Sequence, residues 1–166
     1  MKFLNPRFRL SAPTDVSFKF SDNGVVKEVT VHTQILACSS EVFNRQFFGA
    51  LTAEKDIEIN DASPEVFQAM IEFIYNKKLK YEDLEIRFMI SLYYQADKYD
   101  IQDLCNDIIT SIQERSVTKE NVLALAIQAE KHLLHPYLSD ALYGAAATFI
   151  IKERAPMDKL EYVMTM

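Results

Sequence analysis

The chain has 166 residues, 49% of them hydrophobic and 25% charged, enough for one cored domain and a small extension. A formal charge of −6 and a pI near 5.1 argue against a nucleic-acid partner, whose phosphates reward a basic face. No run approaches the roughly 20 apolar residues that span a bilayer, and residues 1–7 lack the apolar core and cleavage site of a signal peptide, so membrane contact and secretion are not expected.

Residues 1–14 carry Pro6 and Pro13 and no clear period; Phe8-Arg9-Leu10 suits a short strand. From Asp15, the residues Val16, Phe18 and Phe20 alternate with polar ones, the two-residue period of a half-buried strand. Asn23-Gly24 is a turn signal, and Val29 and Val31 alternate on the returning strand, which predicts a hairpin. Ile35, Leu36, Val42, Phe43 and Phe47 suit two short helices broken near Ser39-Ser40, and residues 56–60 a third strand. Ser63 before Pro64 marks a helix start, a side-chain cap followed by proline at the first helical position. Val66, Phe67, Met70, Ile71, Ile74 and Tyr75 follow at helical spacing. Further helices are predicted over Leu84 to Tyr99, over Ile101 to Ile112, from a Thr118 cap to about His132, and from Pro136 onward with Leu138, Leu142, Ala145, Ala146 and Phe149 on one face. A small sheet with dominant helices is an α+β fold.

Residues suited to chemistry do not assemble in the sequence. His132 and His135 are three apart, but two imidazoles fall short of a zinc ligand set. The Ser39-Ser40 pair lacks a nucleophile elbow, and Asp56, Glu58, Asp61 and Glu65 suit strand exteriors and a helix start. No metal, no cofactor and no catalytic residue are expected. Cys38 and Cys105 lie in helix-like apolar patterns, which predicts buried thiols and an intracellular, reducing compartment, cytoplasm or nucleus. His32 suits packing and hydrogen bonding at a strand–helix junction.

Several short motifs occur in a telling order. Asp15-Val16 opens a strand. His32, Leu36, Ser40 and Phe43 fit the pattern His-x-x-x-Leu-x-x-x-Ser-x-x-Phe. Asp61-Ala62-Ser63-Pro64-Glu65-Val66-Phe67, Phe73-Ile74-Tyr75-Asn76-Lys77-Lys78-Leu79 and Ala96-Asp97-Lys98-Tyr99 follow. Together they resemble the BTB/POZ domain, an interaction module with no chemistry of its own, with Asn76-Lys77 standing where the family has Thr-Gly. Glu120 to Ala126 and Phe149-Ile150 are similar to the helical pair after the BTB domain in speckle-type POZ (MATH-BTB) adaptors, the 3-box that begins a BACK domain.

The resemblance implies an arm over 1–14, a BTB/POZ domain over 15–115 and a 3-box or partial BACK extension over 116–166. A full BACK domain and a MATH or Kelch substrate-reading domain are expected to be absent. The resemblance also implies a protein-binding surface for cullin-3 at Phe47, Phe48, Leu51, Ala53 and Glu54, with Tyr93 and Tyr99 at a second contact. Leu51 holds the family's apolar position; Ala53 stands where the family has an acid, and Glu54 comes one residue later. Phe47 and Leu51 at helical spacing also suit the domain's own core. Phe8 and Leu10 are the residues for a two-fold homodimer made by strand exchange. Thr33 after the histidine, where transcription-factor members have a base, argues against a repressor-peptide groove. The implied function is a non-enzymatic adaptor that self-associates and docks on cullin-3 in a ubiquitin ligase; the alternative is a dimerising scaffold or decoy without substrate delivery.

Overall fold

The computed structural model describes residues 13–22, 25–50, 56–81, 83–114, 122–131 and 135–164. The expected strand at Phe8-Arg9-Leu10, the Asn23-Gly24 turn and the Thr118 cap lie outside the described residues. The chain divides into two compact units, with the boundary between Cys105 and Asn106.

The first unit is built on a three-stranded sheet of order β2-β1-β3. Strands β1 (Val16–Asp22) and β2 (Val25–Val31) pair antiparallel, Phe18 opposite Val29; β3 (Asp56–Glu58) pairs parallel to β1, Ile57 opposite Phe18. The period-two pattern does what it promises: Val16, Phe18 and Phe20 are all buried. Strand β3 stops two residues before the expected end, although the Ile59 amide still donates to the Lys19 carbonyl at 2.9 Å.

Five helices complete this part: α1 (Thr33–Ser39), α2 (Glu41–Phe48), α3 (Pro64–Asn76), α4 (Ile86–Lys98) and α5 (Gln102–Glu114), the last running across the boundary. Helix α3 starts as its sequence demands, the Ser63 hydroxyl accepting from the Val66 amide at 3.3 Å ahead of Pro64. Helix α4 begins two residues later than its apolar pattern suggests, because Leu84 is held in a turn by its bond to the Tyr81 carbonyl and Glu85 is extended. The core is aromatic. Phe67 lies 4.7 Å from Phe18 and 5.4 Å from Phe20, centroid to centroid, and Phe43 stacks on Tyr99 at 4.3 Å.

Two polar devices fix the strand–helix junction. His32 is buried, as expected of a packing residue; its amide donates to the Tyr75 hydroxyl at 2.9 Å and its Nδ1 lies 2.7 Å from the same oxygen. Helix α1 has no cap from His32 itself, so Asp15 supplies it from the strand side, accepting from the Thr33 amide at 2.8 Å and the Thr33 hydroxyl at 2.7 Å. Partial burial works to raise the Asp15 pKa, but the Thr33 bonds, its own amide and nearby His32 outweigh it and hold the carboxyl below its ordinary value. The stabilisation is therefore present above the unfolded pKa of about 3.9 and is lost as pH falls through the lower folded value. Asp15→Ala is expected to cost about 1 kcal/mol at neutral pH, the worth of a helix cap. Urea melts should show that difference shrinking as the solution is acidified from the unfolded value of about 3.9 down through the lower folded one. An unchanged gap there would remove Asp15 from the cap.

One thiol departs from expectation. Cys105 is buried, and that burial, with Asp97 and Asp100 adding, pushes its thiol up to about 12. Cys38 is exposed. Leu36 is the buried residue of α1, and a position two residues on lies about 200° around the helix from it.

The second unit holds α6 (Val122–Lys131) and α7 (Pro136–Met164). Leu138, Ala141, Leu142, Ala145, Ala146 and Ala129 are buried, and the Ser139 hydroxyl donates to the Ala129 carbonyl at 3.1 Å, tying the two helices. The face expected from Leu138 to Ala146 is thus the packed one, with Phe149 half-buried at its end. Pro156 sits inside α7, where its missing amide removes a bond from the helix ladder.

Candidate docking face

Helix α2 is short, so its ends decide how it is held. Ser40 caps it, its hydroxyl accepting from the Phe43 amide at 3.1 Å and donating to the Tyr99 carbonyl. Glu41 in the first turn suits the positive end of the helix and pairs with Arg45 one turn on at 3.0 Å. At the other end the Gly49 amide bonds back to the Arg45 carbonyl, and a Cβ at Gly49 would lie 2.2 Å from that oxygen. Only glycine closes the helix this way.

Between those ends the apolar residues divide. Phe43 is fully buried; Phe47 is half-buried, stacked 5.8 Å from Phe43 and 6.5 Å from Phe18. Phe48 is 57% exposed and Val42 38%. Helical spacing puts Glu41, Arg45 and Phe48 in one outward row. Asp100 lies close enough to act on the Glu41 carboxyl. The Asn44 and Arg45 side chains bond that carboxyl and hold its pKa below the ordinary value. The outward row therefore offers one apolar ring beside mixed charge.

The other site expectations fall as follows. Leu51, Ala53 and Glu54, and the dimer residues Phe8 and Leu10, lie outside the described residues. Tyr93 and Tyr99 are buried at 5% and 4% exposure, so both rings belong to the core; a tyrosine at helical spacing with apolar neighbours fills a core as readily as an interface. Burial raises the Tyr99 pKa. Half-buried Tyr94, packed edge-on to Tyr93 at 6.3 Å, is the residue of that segment with surface left to offer. Sequence reasoning placed Val42 in a helix but gave no site role to Val42, Gly49 or Asp100. The glycine carried a signal, a break directly after Phe47-Phe48; Asp100 carried none, since it reaches Glu41 only through the fold.

Comparison with known proteins settles what kind of module this is. The family model of the BTB/POZ domain matches residues 4–116. The chain belongs to the BTB/POZ family. A BTB/POZ domain-containing protein 6 of Xenopus tropicalis is 32% identical over 116 residues, covering 69% of this chain and 21% of the relative. A BTB and MATH domain-containing protein 40 of Caenorhabditis elegans is 31% identical over 135 residues, covering 80% of this chain and 32% of the relative. The chain thus spans about a fifth to a third of the length of these curated relatives. The solved BTB domain of zebrafish PATZ1 superposes with a TM-score of 0.50 at 20% identity, over 61% of this chain and 77% of that one, which shows the shared fold. A BTB/POZ domain is a protein–protein interaction module, and BTB domains commonly self-associate. Among the described residues no helix is long and apolar enough to cross a membrane.

Proposed function

We propose that this BTB domain is an adaptor that pairs with itself and docks on cullin-3 as part of a ubiquitin ligase, through the outward end of α2 and the segment that follows to Glu54. The observation that carries the reading is Phe48, an exposed aromatic ring at the end of a helix whose other phenylalanines turn inward. An aromatic ring filling a partner's pocket, with rim charges setting orientation, is how interfaces concentrate their energy. The helical pair α6 and α7 after the BTB match agrees with a 3-box.

A pull-down with the purified N-terminal region of cullin-3 tests it. Wild type should retain cullin-3 and Leu51→Asp should lose it, because a carboxylate forced into an apolar pocket costs several kcal/mol. No retention by wild type, or retention indifferent to the substitution, rejects the surface. The second reading, a scaffold or decoy that self-associates without cullin, is favoured by Ala53 at the family's acid position. Light scattering that shows a dimer, with no cullin retained, would select it.

A further inference from the structure

Strand β2 lies at the edge of the sheet, and among the described residues no strand pairs with its outer side. Backbone groups alternate in direction along a strand, so the ones left over can be named. The Ile59 amide reaches the Lys19 carbonyl, which turns the odd residues of β1 toward β3 and its even residues toward β2. Phe18 and Phe20 therefore exchange bonds with Val29 and Lys27, and the amides and carbonyls of Val26, Glu28 and Thr30 point off the sheet. The devices that usually guard such an edge are absent or engaged. Strand β2 contains no proline. Its lysine, Lys27, shares the face of Phe20 and pairs with Glu65 at 2.6 Å. The Glu28 carboxylate accepts from the Ser17 hydroxyl on β1. Val26 is 62% exposed, and the strand is rich in valine, which suits a pleated surface.

We infer that this edge accepts an extended segment of a partner protein as an added antiparallel strand, with a lysine or arginine opposite Glu28 and apolar residues on either side of that base. Val26, Glu28 and Thr30 each exchange an amide and a carbonyl bond with the residue opposite, and main-chain bonds supply the affinity of strand addition. Charge selects the occupant. The outer face of the sheet carries Glu28, Asp56 and Glu58 around Lys19, which Asp56 already holds at 2.9 Å, so acid is in excess beside the edge. Side chains flanking the base turn to the other face, beside half-buried Val29, and cover it best if apolar. A second copy is the poorer occupant. A two-fold pairing that engages all three edge residues sets Glu28 against Glu28, and like charges directly opposite destabilise a sheet. The edge shares no residue with α2, so the inference stands whether or not cullin-3 binds there.

The probe is a capped, fluorescent peptide, Thr-Val-Lys-Val-Thr flanked by serines, titrated into the full chain. Anisotropy should saturate with a dissociation constant below about 1 mM. Amide exchange should slow at Val26, Glu28 and Thr30, while Lys27 and Val29, already bonded to β1, stay as they were. N-methylation of the peptide's lysine amide, which faces the edge, should weaken binding about tenfold; the same methyl on the next valine, which faces away, should not. Glutamate in place of the peptide's lysine should weaken binding about fivefold, and Glu28→Lys should reverse that order of preference. Binding that fails to saturate, or that ignores which amide is methylated, would overturn the inference. So would edge amides that become protected with rising chain concentration and no peptide, which would give the edge to a second copy.

Discussion

Phe67→Ala is expected to lose about 3–5 kcal/mol of stability, the cost of deleting a buried ring and leaving a cavity. The ring is fully buried and lies against Phe18, Phe20 and Tyr99, so three separate pieces of chain meet on it: strand β1, helix α3 and the end of α4. None of those neighbours can fill the space without leaving its own packing. Phe18 is also tied to Phe43, and Tyr99 is fixed through its carbonyl by the Ser40 hydroxyl that caps α2. A loss of that size is a large part of the total stability of a small domain, so the variant should melt early and expose sheet and helices together. Phe67→Leu, which keeps most of the volume, should cost under about 1.5 kcal/mol. Urea unfolding followed by near-ultraviolet dichroism separates the two. Equal and small losses for both would show that the aromatic cluster is not the keystone described above.

The same cluster shows how much of the fold is written locally. Strand β1 was legible because one of its faces is buried, which forces alternation. Helix α3 was legible because its start is chemical, a serine cap followed by proline. What could not be read is what depends on distant partners. Asp15 caps α1 across 18 positions of sequence, and nothing near Thr33 announces it. Tyr93 and Tyr99 suited a partner or the core equally by spacing; only the packing of Phe43 on Tyr99 decides for the core. Cys38 shows the converse, an apolar neighbourhood in sequence on a helix so short that half of it faces out. At the end of α3, Lys77 takes a left-handed conformation with φ of 52°, the place where the family's glycine would sit without strain. Of the candidate site, the position of Phe47-Phe48 was legible. The division of labour between the two rings was not, because the end of a two-turn helix has too few residues to define a face.

That division supplies the second large effect. Phe47 and Phe48 are adjacent, yet their substitution by aspartate should have opposite consequences. Phe47→Asp removes a half-buried ring from Phe18 and Phe43 and brings a carboxylate to their edge, and should cost about 1–3 kcal/mol of stability. Phe48→Asp changes a ring that already meets water, so the thermal midpoint should stay close to that of wild type. Binding should respond in reverse. If the Phe48 ring is the anchor that a partner's pocket receives, its loss should weaken the cullin-3 complex by about 2 kcal/mol or more, roughly thirtyfold in affinity. Titration calorimetry against the cullin-3 N-terminal region, paired with a melt of each variant, reads both quantities from one preparation. Neighbouring Glu41→Gln should alter the salt dependence of association more than its strength, since rim charges steer encounter more than they hold the complex. A Phe48→Asp domain that melts normally and still binds with wild-type affinity would strip α2 of its role as the docking helix, whatever the partner proves to be.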